Sequence, residues 1–211
     1  HCESSAASDV YKRQDQIYKK YNFNDSKNYL AILPGSRASE ISNMMPTYAN
    51  FMEIAFANNP NSHFLIPAAD NLIKEKIESH IKNKDLPITI ATGAAREFLS
   101  ISKYSVVTSG TATLEAAVLE AVPIICYKTS KFNYFIISKM LKTKLIGLPN
   151  LLLSKKVFPE LLQSQCTAVN IYEALQSLID SNDIHSEILL VKSHLKGQGF
   201  DAAAKLISKI T

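Results

Sequence analysis

Ser105-Val-Val-Thr-Ser-Gly-Thr-Ala-Thr-Leu-Glu-Ala-Ala-Val-Leu-Glu-Ala121, followed by the apolar run Pro123-Ile-Ile-Cys-Tyr127, is the stretch that decides the fold. Val106 and Val107 close a short β-branched run, whereas Leu114, Ala117, Val118 and Ala121 recur at helical spacing. The period therefore changes at Ser109-Gly110-Thr111, which predicts a strand, a tight turn and a helix. Gly110 suits a backbone conformation closed to other residues, and the hydroxyl of Thr111 or Thr113 is placed to cap the helix. Free N–H groups and the positive end of the helix dipole would then face one crevice, where an anion such as a diphosphate fits. Glu115, one turn further on, is either an acceptor for two ribose hydroxyls or a solvated helix residue.

A second stretch of the same kind lies upstream. Tyr29-Leu-Ala-Ile-Leu33 is a short apolar strand closed by Pro34-Gly35-Ser36-Arg37, a second strand-to-loop anion site. The helix after it begins at Ser39, with Met44, Met45, Tyr48, Phe51 and Met52 on a broad apolar face, and Pro46 is expected to kink or divide it. Strands at His63–Pro67, Pro87–Ala91 and Tyr104 alternate with helices over Asp70–Asn83 and Arg96–Lys103. Such alternation implies a Rossmann-like α/β domain, a parallel sheet with helices on both faces, in which ligands collect at the carboxyl ends of the strands. Further on, Phe132–Leu141 reads as an aromatic helix and Leu145–Leu153 as an apolar segment broken by Gly147 and Pro149. Pro159 is expected to open a short helix. C-terminal helices follow over Thr167–Ile179, Asp183–Leu195 and Phe200–Ile210.

Composition sets the bounds. The 211 residues suffice for one full α/β domain with appended helices. Three cysteines (Cys2, Cys126, Cys166) without a close pair, and five scattered histidines, offer neither a disulfide framework nor a metal site, which fits a reducing compartment. No apolar run approaches the roughly 18 to 20 residues that cross a bilayer, so the expectation is a soluble or peripheral chain. His1–Gln14 lacks apolar periodicity and is expected to be a non-native flank. Residues 15–27 are expected to form a polar linker, 28–165 the nucleotide-binding domain and 166–211 its C-terminal helices.

The net charge of +4 is local in origin. Tyr127–Phe158 holds seven lysines (128, 131, 139, 142, 144, 155 and 156) and no acid, which leaves the rest of the chain net acidic and argues against a nucleic-acid partner. Interleaved with Phe132, Tyr134, Phe135, Ile136 and Ile137, these lysines suit either an anionic membrane surface or the solvated face of a core helix.

Taken jointly, Leu33-Pro-Gly-Ser-Arg-Ala-Ser-Glu-Ile41, Ser109-Gly-Thr-Ala-Thr-Leu-Glu-Ala-Ala117, Tyr127-Lys-x-Ser130, Leu148-Pro-Asn-Leu-Leu152 and Pro159-Glu-Leu-Leu-Gln163 resemble the lipid-A-disaccharide synthase family. Their order and spacing match from about Asn28 onward. Phe200 and Asp201 depart from the small residues the family tends to have there.

The resemblance implies the carboxyl-terminal half of a two-domain GT-B glycosyltransferase, the half that binds the UDP of the sugar donor. It implies transfer from UDP-2,3-diacylglucosamine to an acylated glucosamine 1-phosphate, with inversion and without metal. The acceptor-binding half would hold the general base. Cytoplasmic placement, peripheral on the inner face of the inner membrane, goes with that assignment, and oligomeric state is left open, a homodimer included. Within the family match Gly35, Ser36 and Arg37 form the first loop and Ser109, Gly110, Thr111, Ala112 and Thr113 the nucleotide loop, with Glu115 the helix glutamate. Arg37 and Asn150 are the catalytic candidates.

Physical chemistry attaches an alternative to each of these two. Arg37 offers a planar fork of donors to phosphate or a surface ion pair to Glu40, and Asn150 binds donor or shapes a turn after Pro149. The absence of a DxD motif fits a site without metal. Two other readings remain: another UDP-sugar enzyme of the same fold, such as a peptidoglycan-precursor glycosyltransferase or a UDP-sugar epimerase, and a non-catalytic nucleotide-sugar-binding module.

Overall fold

The structure, a computed structural model, describes residues 2–128, 145–181 and 183–195. Lys131, Lys139, Lys142 and Lys144, the aromatic segment 132–141 and the last expected helix lie outside the described residues.

Six strands form one parallel sheet: β1 (Asn28–Leu33), β2 (Ser62–Ala68), β3 (Ile88–Thr92), β4 (Tyr104–Thr108), β5 (Val122–Tyr127) and β6 (Glu160–Leu162). Their spatial order is β3-β2-β1-β4-β5-β6. The chain winds outward from β1 through β3, then returns beside β1 at β4 and winds the other way. The boundary between β1 and β4, where Leu33 pairs with Val107, is thus the topological switch point.

Strand residues alternate between two cores because the side-chain period is two. Leu30 and Ile32 of β1 enter the larger core with α2 (Ala38–Asn58), α3 (Asn71–Ile81) and α7 (Ala168–Ile179). Ala31 and Leu33 face the other way, onto Leu99 of α4 (Ala95–Ile101) and Ala116 of α5 (Thr111–Val118). A further helix over 184–195, α8, adds Ile188 and Val191 to the larger core, so the C-terminal helices share the sheet's interior.

Asp70 caps α3 by accepting from the Ile73 N–H, and Thr167 caps α7 through Asn170. Pro46 leaves α2 undivided. It stands on the exposed face, where water can satisfy the carbonyl it leaves unbonded.

Two expected elements are corrected. Pro159 opens not a helix but the edge strand β6, because the ladder groups of β5 are free to pair: Ile125 donates to the Pro159 carbonyl at 2.8 Å and aligns with Glu160. The broken segment at 145–153 contains α6 (Leu148–Leu153), with Pro149 in its first turn, where a missing N–H costs nothing.

At the other end, α1 (Cys2–Tyr21) runs through the expected flank and most of the expected linker. Ile17 is buried, Tyr21 and Phe23 pack on Phe98, and Lys20 bonds Glu97 at 2.8 Å. The polar composition of this stretch conceals an apolar stripe, Ile17, Tyr18 and Tyr21, at helical spacing. No helix among the described residues is long and apolar enough to cross a membrane.

Candidate nucleotide-binding site

The two glycine turns leave adjacent strands on the same side of the sheet. Gly35 follows β1 and Gly110 follows β4, and neighbouring strands are about 4.8 Å apart, so the turns form the two lips of the switch-point crevice. Gly110 has φ +155° and ψ −166°, a region open essentially to glycine alone. A Cβ there would meet nothing within 4 Å, so the backbone conformation and not crowding requires the glycine. Gly35, at φ +112°, is constrained twice over, because a Cβ would also overlap the side chain of Glu40.

Gly110 is itself the N-cap of α5, and no side chain caps the helix. The expected cap through Thr111 or Thr113 is therefore corrected: Thr113 is buried and its hydroxyl donates to the Gly110 carbonyl at 2.7 Å. Thr111 and Ala112, the first two residues of α5, have N–H groups with no acceptor inside the helix. Gly110 and Thr111 are exposed. Two backbone donors at the positive end of a helix dipole thus open into the crevice.

Ser109 carries no free donor into that space. Its N–H bonds the Cys126 carbonyl at 2.9 Å and its hydroxyl donates to the Ile146 carbonyl at 3.3 Å, so it braces the turn from behind. Beneath the turn, the Tyr48 hydroxyl of α2 and the Thr108 hydroxyl share a buried hydrogen bond of 3.0 Å. Burial, foremost, pushes the Tyr48 phenol well above its usual value, so it serves as a neutral strut between α2 and the end of β4.

The first loop differs from expectation. Its backbone donors are occupied: one oxygen of Glu40 accepts from the N–H groups of Ser36 at 2.9 Å and Arg37 at 3.2 Å. The carboxylate thereby stabilises the N-terminus of α2 in the way an anion would. The Arg37 guanidinium stands 3.4 Å from the other Glu40 oxygen with its side chain 80% exposed, a loose contact that leaves it free to reach across the crevice. The first lip therefore offers a side-chain cation, and the second offers backbone N–H groups.

Glu115 faces α4, where its carboxylate stands 3.4 Å from the Arg96 guanidinium in a partly exposed pair. The pairing of Arg96 with Glu115 has no signal in the sequence, since the two belong to different helices.

Asn150 is not at the crevice surface. It is fully buried in α6, and all four of its hydrogen-bonding positions are filled. The Nδ2 donates to the Phe158 carbonyl and to Glu160, both at 2.8 Å, while Oδ1 accepts from Val157 at 2.9 Å and Phe158 at 2.8 Å. In this geometry Asn150 has the turn-shaping role that stood beside donor binding: it holds the reversal from α6 to β6 shut.

Two cavities lie away from the crevice. One, of about 420 Å³, is between α1 and α4, lined by Arg13, Lys20 and Arg96 among others. The other, of about 410 Å³, is at the amino ends of the strands beside Tyr29, Tyr104 and Tyr172. Among the described residues no group of three His, Cys, Asp or Glu side chains is placed to hold a metal ion.

A family model described as lipid-A-disaccharide synthetase matches residues 7–206, nearly the whole chain and including part of the stretch expected to be a flank. The chain belongs to the lipid-A-disaccharide synthetase family. Among individual relatives, lipid-A-disaccharide synthase 2 of Legionella pneumophila is 34% identical over 199 residues, which cover 92% of this chain and 52% of that protein. Lipid-A-disaccharide synthase of Saccharophagus degradans is 33% identical over 166 residues, 78% of this chain and 43% of that protein. The chain spans about half the length of these relatives.

Solved structures agree on the fold. The C-terminal CMP-Kdo binding domain of WaaA from Acinetobacter baumannii superposes with TM-score 0.57 at 10% identity, covering 89% of this chain and 98% of that one. UDP-GlcNAc 2-epimerase from Neisseria meningitidis superposes with TM-score 0.55 at 15% identity, covering 88% of this chain and 46% of the other. At these identities the likeness establishes the Rossmann-like architecture of a GT-B half and nothing about ligand.

Proposed function

We propose that this chain is the UDP-binding, carboxyl-terminal half of a lipid-A-disaccharide synthase, which transfers 2,3-diacylglucosamine from its UDP donor to the 6-hydroxyl of 2,3-diacylglucosamine 1-phosphate. The observation that carries the proposal is the switch-point crevice of a family member, with the N–H groups of Thr111 and Ala112, which have no acceptor inside the helix, on one lip and the exposed Arg37 on the other. The diphosphate takes the helix N-terminus. Arg37 adds a charge-assisted contact that strengthens as negative charge gathers on the departing UDP, so it stabilises the transition state more than the ground state. The base that deprotonates the acceptor hydroxyl belongs to the acceptor-binding half. Helix dipole and arginine together supply the positive potential that a divalent ion supplies elsewhere.

Calorimetric titration tests this reading. The chain should bind UDP in chelator as well as in magnesium, and bind it more tightly than uridine, because the diphosphate contacts need no metal. Strict dependence on magnesium, or equal affinity for UDP and uridine, contradicts it.

A further inference from the structure

We propose that Glu160, on the edge strand β6, is a positioning residue for the diphosphate-binding turn, acting through Ile146 on Ser109. The inference rests on the crevice reading above for its functional meaning, but the physical linkage stands on geometry alone.

Glu160 is buried, and both its oxygens are engaged by N–H donors. One accepts from the Ile146 N–H at 3.0 Å; the other accepts from the Gly147 N–H at 3.0 Å and from Asn150 Nδ2 at 2.8 Å. The carboxylate thus holds the entry to α6 in place. Gly147 permits the approach, since a Cβ there would overlap Ile125 and stand 3.1 Å from the carboxylate. The fixed Ile146 then presents its carbonyl to the Ser109 hydroxyl at 3.3 Å. Ser109 is in consequence held at two points, by its N–H to Cys126 of β5 and by its hydroxyl to Ile146. It is the residue immediately before Gly110, whose φ of +155° sets the direction of the first N–H groups of α5. A turn pinned on both sides keeps its donors aimed without reorganisation when the anion arrives.

The residue type follows from the donors. Three N–H groups converge on one side chain, and only a carboxylate offers acceptors on both oxygens. Glutamine, nearly isosteric, would turn its NH2 against either Ile146 or the Gly147 and Asn150 donors and leave at least one bond unmade. The distance in sequence between Glu160 and Ser109 hides the link.

The test compares Glu160→Gln and Ser109→Ala in the whole chain, by amide hydrogen exchange without ligand and by calorimetric titration with UDP and with uridine. Both variants should speed exchange at the Ser109 and Thr113 amides by about fivefold or more, the equivalent of one net hydrogen bond, while amides of β1 and β2 keep their protection. Both should weaken UDP about as much and leave uridine unchanged, and the double variant should lose no more than either single one. Unchanged exchange at Ser109 and Thr113, additive losses, or equal losses for UDP and uridine overturn the proposal. If Glu160→Gln fails to fold, Ser109→Ala decides, because it cuts the link at the partly buried hydroxyl without stranding the buried carboxylate; wild-type behaviour in that variant refutes the linkage. If the wild-type chain binds no UDP, the functional reading fails, and the exchange rates still accept or reject the linkage.

Discussion

Arg37→Ala is expected to weaken UDP binding about tenfold while leaving uridine almost untouched. The estimate is the low end of the about 1.5 to 3 kcal/mol range for a charge-assisted contact, because the guanidinium is 80% exposed in the unliganded chain and its pair with Glu40 must be given up. Arg37→Lys should recover part of the loss, since an ammonium keeps the charge but not the bidentate fork. The UDP loss should shrink with added salt, as expected of an exposed charge. Equal losses for UDP and uridine would mean that the substitution disturbs the loop, and no loss would return Arg37 to a surface ion pair.

Asn150→Ala should act on a different quantity altogether. It removes a side chain that satisfies two N–H groups, one carbonyl and one carboxylate oxygen in a fully buried position. With each stranded buried group costing about 1 to 3 kcal/mol, a loss of about 3 kcal/mol or more in unfolding free energy is expected in urea titration. Asn150→Asp should be no milder, because a second carboxylate would then stand against Glu160 in the interior. An unchanged urea midpoint with reduced UDP binding would restore Asn150 to a direct role at the donor.

These two residues mark the line between what was legible in the sequence and what was not. The strand-turn-helix units at Gly35 and Gly110 were legible because their signals are local: a change of period, a glycine at the break and a helical stripe after it. Their meeting at one crevice follows from strand-helix alternation and right-handed crossovers. Arg37 lies on such a unit, so its exposure at a strand end was accessible from pattern alone.

Asn150 lies in a reversal whose partners, Val157, Phe158 and Glu160, come together only when β6 joins the edge of β5. That pairing has no local signature, and the same fact turned the helix expected after Pro159 into a strand. Glu40 is an intermediate case. Its spacing from Ser36 and Arg37 is visible, but whether it would cap its own helix or leave those N–H groups to a ligand depends on a rotamer. The stripe Ile17, Tyr18 and Tyr21 was hidden by the lysines and acids around it and becomes apolar packing only in the fold, where Tyr21 meets Phe98 of α4 and Tyr18 meets Tyr29 of β1.

The most direct test of the central claim, that the crevice between β1 and β4 binds a nucleoside diphosphate, is a crystal structure of the chain with UDP. The account predicts the diphosphate within hydrogen-bonding distance of the Thr111 and Ala112 N–H groups, with the Arg37 guanidinium turned from Glu40 toward it. UDP seated instead in the cavity beside Tyr29 and Tyr104 at the amino ends of the strands, or bound with its diphosphate away from the N-terminus of α5, would contradict it.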